Sequence, residues 1–233
     1  MILMSQGLRQ RAKKIICQRG WLSRMSSEFR CRLLQDAEFL RFRAGKTLFH
    51  PGDPVGGIYG LVSGVVTVKT SPSGLPPRLI HIAVPGGWTG EDSFLTGEPR
   101  RIELTAYSEI QVIHVPLPVM EDIVSADPQA FRAFSTISVM SADSLIRIVH
   151  DLQKRDVSSR IASALHRMAW STDTPITVSQ DNLSIITNTS RKQVNVTIQR
   201  FIENGWVETR YRAITVKKPE ALLQFAEQKI RLE

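Results

Sequence analysis

After Pro128 no glycine or proline occurs before Arg155, and this uninterrupted stretch constrains the fold more than any other feature. Within it Phe131, Phe134, Ile137, Val139, Met140, Leu145, Ile148, Val149 and Leu152 recur at helical steps. Asp127 suits the N-cap and Pro128 the first helical position. A single helix over residues 128–155 would be ~40 Å long, longer than one side of a small domain. Part of its apolar stripe therefore needs cover from outside its own domain, and a heptad-like seam of Leu, Ile and Met suits a second copy of the same helix. The alternative is a helix packed wholly on its own domain; the spacing favours dimerisation.

The chain before this helix follows another period. Short runs of β-forming residues (Thr47–Phe49, Ile58–Val62, Val65–Val68, Leu79–Val84, Ile102–Ala106, Val112–Val115) alternate with Pro51-Gly52-Asp53-Pro54, Gly56-Gly57, Gly64, Pro76-Pro77 and Pro85-Gly86-Gly87. Many short strands at this spacing indicate an antiparallel sandwich or jelly roll rather than a parallel sheet. A helical opening precedes them. After the long helix, Val157–Trp170 reads as a helix with Ile161, Leu165 and Met168 on one face, and Thr174-Pro175 closes it. A short amphipathic helix, Ala221–Ile230, ends the chain. The expected class is α+β, with an antiparallel jelly-roll domain with helical N-terminus over 1–126, a dimerisation helix and hinge over 127–155 and a compact, mainly helical domain ending in a hairpin and a short helix over 156–233.

Charge separates these parts. Residues 1–46 carry 11 basic and 3 acidic residues, a net +8, whereas residues 47–178 carry a net −3 and residues 179–218 a net +4. A slightly acidic middle with a basic module after it suits a regulatory core joined to an anion binder. The first basic block (Arg9, Arg11, Lys13, Lys14, Arg19) reads as solvated surface; a basic arm on DNA or on an acidic membrane is the alternative. Two cysteines, Cys17 and Cys31, make neither a disulfide framework nor a four-thiolate metal site. No apolar run reaches the ~18–20 residues of a bilayer span, and Met1-Ile2-Leu3-Met4 followed by basic residues lacks the order of a secretory signal. The expected compartment is the cytoplasm.

Residues 179–216 carry the most specific pattern. Ser179 can cap a helix containing Leu183 and Ile186, and the turn Thr187-Asn188-Thr189 follows, with Asn188 suited to a left-handed backbone. Ser190 caps the next helix, and Gln193 three residues on completes a capping box. Val194, Ile198 and Phe201 share a buried face; Arg191, Asn195 and Gln199 share another, with Lys192 beside them. Gly205 ends that helix, and Val207–Val216 reads as a hairpin around Arg210-Tyr211-Arg212. Helix, turn, helix and basic hairpin make a winged helix-turn-helix. A helix fits the major groove with its first residues at base edges, where Arg and Lys donate to guanine and Asn pairs with adenine. Ser190 and the N–H groups at the helix start can hold a phosphate. Each of these side chains taken singly reads as solvated surface; their capped spacing beside the basic Arg210, Arg212 and Lys217 points to DNA.

With these pieces in place, the chain resembles transcription regulators of the CRP/FNR family (the cyclic-AMP receptor protein and fumarate–nitrate regulator type) over about residues 20–218. The resemblance rests on AGKTLFHPGDPVGGIYGLVSGVVTV from Ala44, GGWTGEDSFLTGEPRRIELTA from Gly86, DVSSRIA from Asp156 and the helix-turn-helix, in the family's order. It implies a cyclic-nucleotide-binding-like jelly roll, a dimerisation helix, a hinge near Arg155-Asp156 and a C-terminal winged helix. The implied partners are duplex DNA with a two-fold operator, a second copy of the chain and RNA polymerase, with no membrane among them.

The resemblance also marks departures. Gly90-Glu91 and Pro99-Arg100 match the segments that hold the ribose and the phosphate in members that bind a cyclic nucleotide, as charge-assisted bonding allows. Arg101 and Ile102 replace the small residues that usually follow that Arg, and Leu145 and Ile146 stand where the cyclic-AMP type has adenine-binding hydroxyls. Gly90, Glu91, Arg100, Arg101, Leu145 and Ile146 therefore form either an effector pocket for a cyclic nucleotide or another small anion, or a vestige closed by a Glu91–Arg100 salt bridge. An iron–sulfur sensor would need four thiolates. A thiol switch at Cys17 or Cys31 and haem ligation by His81 or His114 are weaker readings than semi-buried helix thiols and single strand histidines. In the reading helix Lys192 and Val196 replace a Glu and an Arg of the cyclic-AMP type, so the operator should differ. The rival reading is a cupin-like metal enzyme on the jelly roll, which would need a His-x-His that the chain lacks. A nucleotide-sensing adaptor that binds only protein would leave the basic wing unexplained. No nucleophile–base motif is present, and the chain is not read as an enzyme.

Overall fold

Glycine and proline divide the first half into strands short enough to pack as two sheets. The computed structural model describes residues 2–3, 6–71, 75–169 and 174–228. The strands are β1 (Ile2–Leu3), β2 (Glu38–Phe42), β3 (Thr47–Phe49), β4 (Ile58–Ser63), β5 (Val66–Thr70), β6 (Arg78–Ala83), β7 (Trp88–Thr89), β8 (Glu103–Ala106) and β9 (Ile110–Val115). They form one sheet in the order β1-β2-β9-β4-β7 and a second in the order β3-β8-β5-β6. β9 lies centrally, with Ile113 opposite Phe39 on one side and Gly60 on the other. Leu40, Phe42, Phe49, Leu61, Val66, Leu104, Ile110 and Val112 form one apolar cluster.

The helices of this half are α1 (Gln6–Gln18), α2 (Ser27–Gln35), α3 (Glu91–Thr96), α4 (Leu117–Ala126) and the beginning of α5 (Ala130–Gln153). Trp21, in a 3-10 turn between α1 and α2, organises their core. Its indole N–H donates to the Ala133 carbonyl at 2.8 Å and to Thr136 Oγ1 at 2.9 Å. Its ring meets Phe29, Trp88 and Phe134. A polar tip satisfied inside an aromatic cluster keeps this burial favourable. α5 begins two residues later than the spacing predicts. Asp127 closes α4 through its N–H to the Ile123 carbonyl, and its carboxylate accepts from the Gln129 N–H at 3.0 Å, so Asp127-Pro128-Gln129 forms a tight turn. α4 itself carried a sequence signal, Pro118 in its first turn.

The chain divides into two compact units, Met1–Arg78 with Ala83–Asp143, and Leu79–Ile82 with Ser144–Glu233. In the second, α6 (Val157–Met168), β10 (Ile176–Thr177), α7 (Gln180–Ile186), α8 (Arg191–Glu203), β11 (Val207–Arg210), β12 (Ala213–Val216) and α9 (Pro219–Gln228) follow in order. α6 packs on α9, and β10-β12-β11 form an antiparallel wing. Asp156 caps α6 by accepting from the Ser159 N–H at 2.9 Å. Phe201, Trp206 and Phe225 pack as a ring cluster beneath the wing. The expected helix ends at Trp170 and Ile230 lie outside the described residues. The architecture is the expected α+β arrangement of antiparallel sheets, long helix and C-terminal helix-turn-helix.

Candidate nucleic-acid interface and effector pocket

The capping box that opens α8 is complete. Ser190 Oγ accepts from the Gln193 N–H at 3.2 Å, and Gln193 Oε1 accepts from the Ser190 N–H at 3.3 Å. Thr189 Oγ1 donates to the same Gln193 oxygen at 2.6 Å. Asn188 takes the left-handed conformation, φ 48°, that turns α7 into α8. Ser179 caps α7 through the Asn182 N–H. Val194, Thr197, Ile198 and Phe201 are buried, which leaves Arg191, Lys192, Asn195, Val196 and Gln199 exposed. Arg191 lies 3.6 Å from Asp181 of α7, and Gln199 donates to Glu203. Ser190 Oγ is taken up by the cap, so the helix start offers mainly the first-turn N–H groups that no intrahelical carbonyl can reach.

At the wing tip Arg210, Tyr211 and Arg212 are exposed, with the Arg212 guanidinium 5.6 Å from the Tyr211 ring centre and a φ of 53° at Arg212. Lys217 is half-buried at the wing base, 3.7 Å from Glu208. One structural residue carried no spacing signal. Arg160 of α6 donates to the Thr187 carbonyl at 2.9 Å, the Asn188 carbonyl at 3.2 Å and the Lys154 carbonyl at 2.9 Å. It thereby clamps the helix-turn-helix turn and the end of α5 onto α6.

The residues read as an effector pocket divide. Arg100 is 5 % exposed. Its Nη1 donates to the Gly90 carbonyl at 2.8 Å, its Nη2 donates to the Gly57 carbonyl at 2.6 Å, and its guanidinium lies 4.7 Å from the Phe49 ring centre. Backbone bonds with the turn at Gly52 and Asp53 hold it on the other side. A Cβ at Gly56 or at Gly90, whose φ is 99°, would come within 2.5 Å of an Arg100 Nη atom. Only glycine lets the backbone close so tightly around the cation. Burial pulls the Arg100 pKa down from the usual guanidinium range.

Glu91 makes no ion pair with Arg100 in this arrangement; its Oε1 accepts from Ser138 Oγ of α5 at 3.0 Å, and burial pushes its pKa up. The salt-bridged vestige is thus replaced by a cation held on carbonyls and a carboxyl turned to α5. Trp88 Nε1 and Ser93 Oγ are buried without a hydrogen-bond partner. Arg101 is exposed, and Leu145 and Ile146 are exposed on α5.

The other sensor candidates also find places. His114 pairs with Glu38 at 2.9 Å and stacks on Tyr59 with ring centres 4.4 Å apart. Cys31 is exposed, while Cys17 is half-buried, and burial pushes its thiol pKa up. His81 on β6 has its pKa lowered to about 4 by burial, against 6.5 for an unhindered imidazole. The folded value lies below the unfolded one, so this contribution is present above pH 6.5 and is lost as pH falls toward 4. With discount for partial exposure the loss is ~1–3 kcal/mol. Chemical denaturation at pH 7 and pH 4.5 should show a smaller acid loss in His81→Gln than in the wild type; equal losses would refute the assignment.

A sheet domain on a long helix, followed by a capped helix-turn-helix with a basic wing, defines a DNA-binding regulator. The family model described as cyclic nucleotide-binding domain matches residues 39–127, and the Crp-like helix-turn-helix domain matches residues 159–225. The CRP-like cAMP-activated global transcriptional regulator of Mycobacterium tuberculosis is 23 % identical over 202 residues, covering 83 % of this chain and 88 % of the relative. The global nitrogen regulator of Synechococcus elongatus is 25 % identical over 201 residues, covering 79 % and 87 %. The solved structure of FixK2 from Bradyrhizobium japonicum shares the fold, with a TM-score of 0.68, 16 % identity and coverage of 81 % of this chain and 96 % of that one. The chain belongs to the CRP/FNR family of transcription regulators and is a DNA-binding regulator.

Among the described residues no group of three or more His, Cys, Asp or Glu side chains could hold a metal ion, and nothing supports the cupin-like alternative. No helix among them is long and apolar enough to cross a membrane.

Proposed function

We propose that the protein acts in the cytoplasm as a homodimer that reads a two-fold operator with α8. In this reading residues 1–126 sense, 127–155 dimerise, and 156–233 bind DNA. The observation that carries it is the complete capping box, which fixes a helix whose outer face presents Arg191, Lys192, Asn195 and Gln199 to solvent. With Ser190 holding the cap, the first-turn N–H groups face phosphate, and Arg210, Arg212 and Lys217 of the wing add phosphate contacts. RNA polymerase is the protein partner, and the chain itself performs no catalytic step. Arg191→Ala should weaken specific binding by ~1–3 kcal/mol and relax preference at one position per half-site, whereas Lys217→Ala should weaken all sequences alike and lower the salt slope by about one. Electrophoretic mobility shift over a salt series, on a selected operator and on random duplex, checks both. Equal operator binding by wild type and Arg191→Ala would remove α8 from the reading role.

The sensor domain is proposed to answer cyclic AMP weakly or not at all. The relative named as cAMP-activated makes a small-molecule effector a natural comparison, but here the matching cation already has two carbonyls and an aromatic face. A phosphate would have to displace bonds that cost nothing further to keep. Leu145 and Ile146 offer no hydrogen bond to a base. Titration calorimetry with cyclic AMP and cyclic GMP should give no submicromolar binding, with full DNA affinity in the ligand-free protein. Submicromolar cyclic AMP binding that strengthens DNA affinity would overturn this reading.

A further inference from the structure

The outer ridge of α8 carries one side chain that the hydrogen-bonding account of DNA reading does not use. At 100° per residue, Val194, Thr197, Ile198 and Phe201 make the buried ridge. Directly opposite run Lys192, Val196, Gln199 and Glu203. Val196 sits in the middle of that ridge and is 65 % exposed, while Val194, Ile198 and Phe201 of the same helix are buried. A single exposed apolar residue is ordinary on a protein surface. What sets Val196 apart is its setting, because Asn195 precedes it, Lys192 lies four residues before it and Gln199 three residues after it. It therefore borders the face assigned to the base edges, on the side of Lys192 and Gln199.

We infer that Val196 reads the 5-methyl group of a thymine in each half-site, an inference that rests on α8 being the reading helix. The thymine methyl is the apolar feature on the major-groove floor, the other base edges there being hydrogen-bond donors and acceptors. An isopropyl group packed on it removes apolar surface from water on both partners. Placed against guanine or cytosine, the same group would cover polar atoms and return no hydrogen bond, so it also rejects those pairs. Branching at Cβ holds Val in one strongly preferred rotamer in a helix, so little side-chain freedom is lost on contact. Arg191 and Lys192 at the start of α8 then supply guanine contacts and Val196 an A·T position further into the groove.

The test begins with selection of duplex DNA from a random pool by the wild-type full-length protein. Each thymine of the selected half-site is then replaced singly by deoxyuridine, which deletes the methyl and nothing else. At the worth of one buried methyl-sized group, one thymine per half-site should lose about fourfold in affinity. Val196→Ala should bind the thymine and deoxyuridine duplexes equally, and Val196→Thr, which keeps one methyl, should retain part of the difference. Val196 is exposed, so these variants keep the fold. Selective binding with deoxyuridine tolerated at every position, or equal sensitivity in wild type and Val196→Ala, overturns this inference alone. Failure of selection to enrich any sequence overturns the reading role of α8, and this inference with it.

Discussion

Asp151→Ala should destabilise the protein by roughly 1–3 kcal/mol, because it leaves two partly buried cations without their counter-charge. Asp151 sits in the last turn of α5, with its side chain 14 % exposed. Its Oδ1 accepts from Lys154 Nζ at 2.7 Å, and its Oδ2 pairs with Arg167 of α6. Lys154 also donates to Ser163 Oγ. Burial pulls the Arg167 pKa down to about 10 and lowers that of Lys154, so both cations already bear a desolvation cost that Asp151 offsets. Arg160 adds its bond to the Lys154 carbonyl. The junction between α5 and α6 is therefore held by one carboxylate shared between two bases. Urea denaturation followed by circular dichroism should show the loss. Joint replacement of Asp151, Lys154 and Arg167 by Leu, Met and Met should come out near neutral, since no unpaired charge is then buried. A loss below ~1 kcal/mol in Asp151→Ala would place the pair in the range of surface ion pairs.

What could be read in advance divides along local and non-local lines. The capping box Ser190–Gln193, the left-handed Asn188, the Ser179 cap and the hairpin around Arg210-Tyr211-Arg212 all rest on residues a few positions apart. Short-range hydrogen bonding and backbone sterics decide such features, so spacing suffices. The partners of Arg100 are of another kind. Gly57 lies 43 residues before it, and the Ser138 hydroxyl that takes Glu91 lies 47 residues after that carboxylate. Charge complementarity in the sequence favours Glu91 with Arg100. In the folded unit, carbonyls fixed by the turn at Gly56-Gly57 and by Gly90 reach the guanidinium first. Arg160 is legible only as part of a family motif, because a backbone clamp has no complementary residue type to announce it. β2 carries a weaker sequence signal than the other strands, because no Gly or Pro lies between Gly20 and Glu38 to mark its start, and Asp127 serves two helices where spacing suggests one.

Leu145→Glu or Ile148→Glu should abolish self-association. Val139 is 60 % exposed and Ile146, one heptad on, 54 %. Leu145, Val149 and Leu152 follow at steps of four and three and are likewise exposed, which is the a/d spacing of a helix pair. A continuous apolar row on a 24-residue helix exceeds the scattered exposed residues of an ordinary surface. In a parallel two-fold pair each substitution enters the seam twice, and each buried, unpaired carboxylate costs several kcal/mol. The dissociation constant should rise by about 10²–10⁴-fold, enough to turn a dimer into a monomer at micromolar concentration. Operator binding should fall with it, because one half-site supplies only part of the contacts, while the fold of each unit should persist since Leu145 is exposed in the single chain. Sedimentation velocity of wild type and both variants, with circular dichroism as the folding control, gives the answer. A wild type that sediments as a monomer at micromolar concentration would sink the homodimer. Unchanged sedimentation of the two Glu variants beside a dimeric wild type would move the seam to another face of α5.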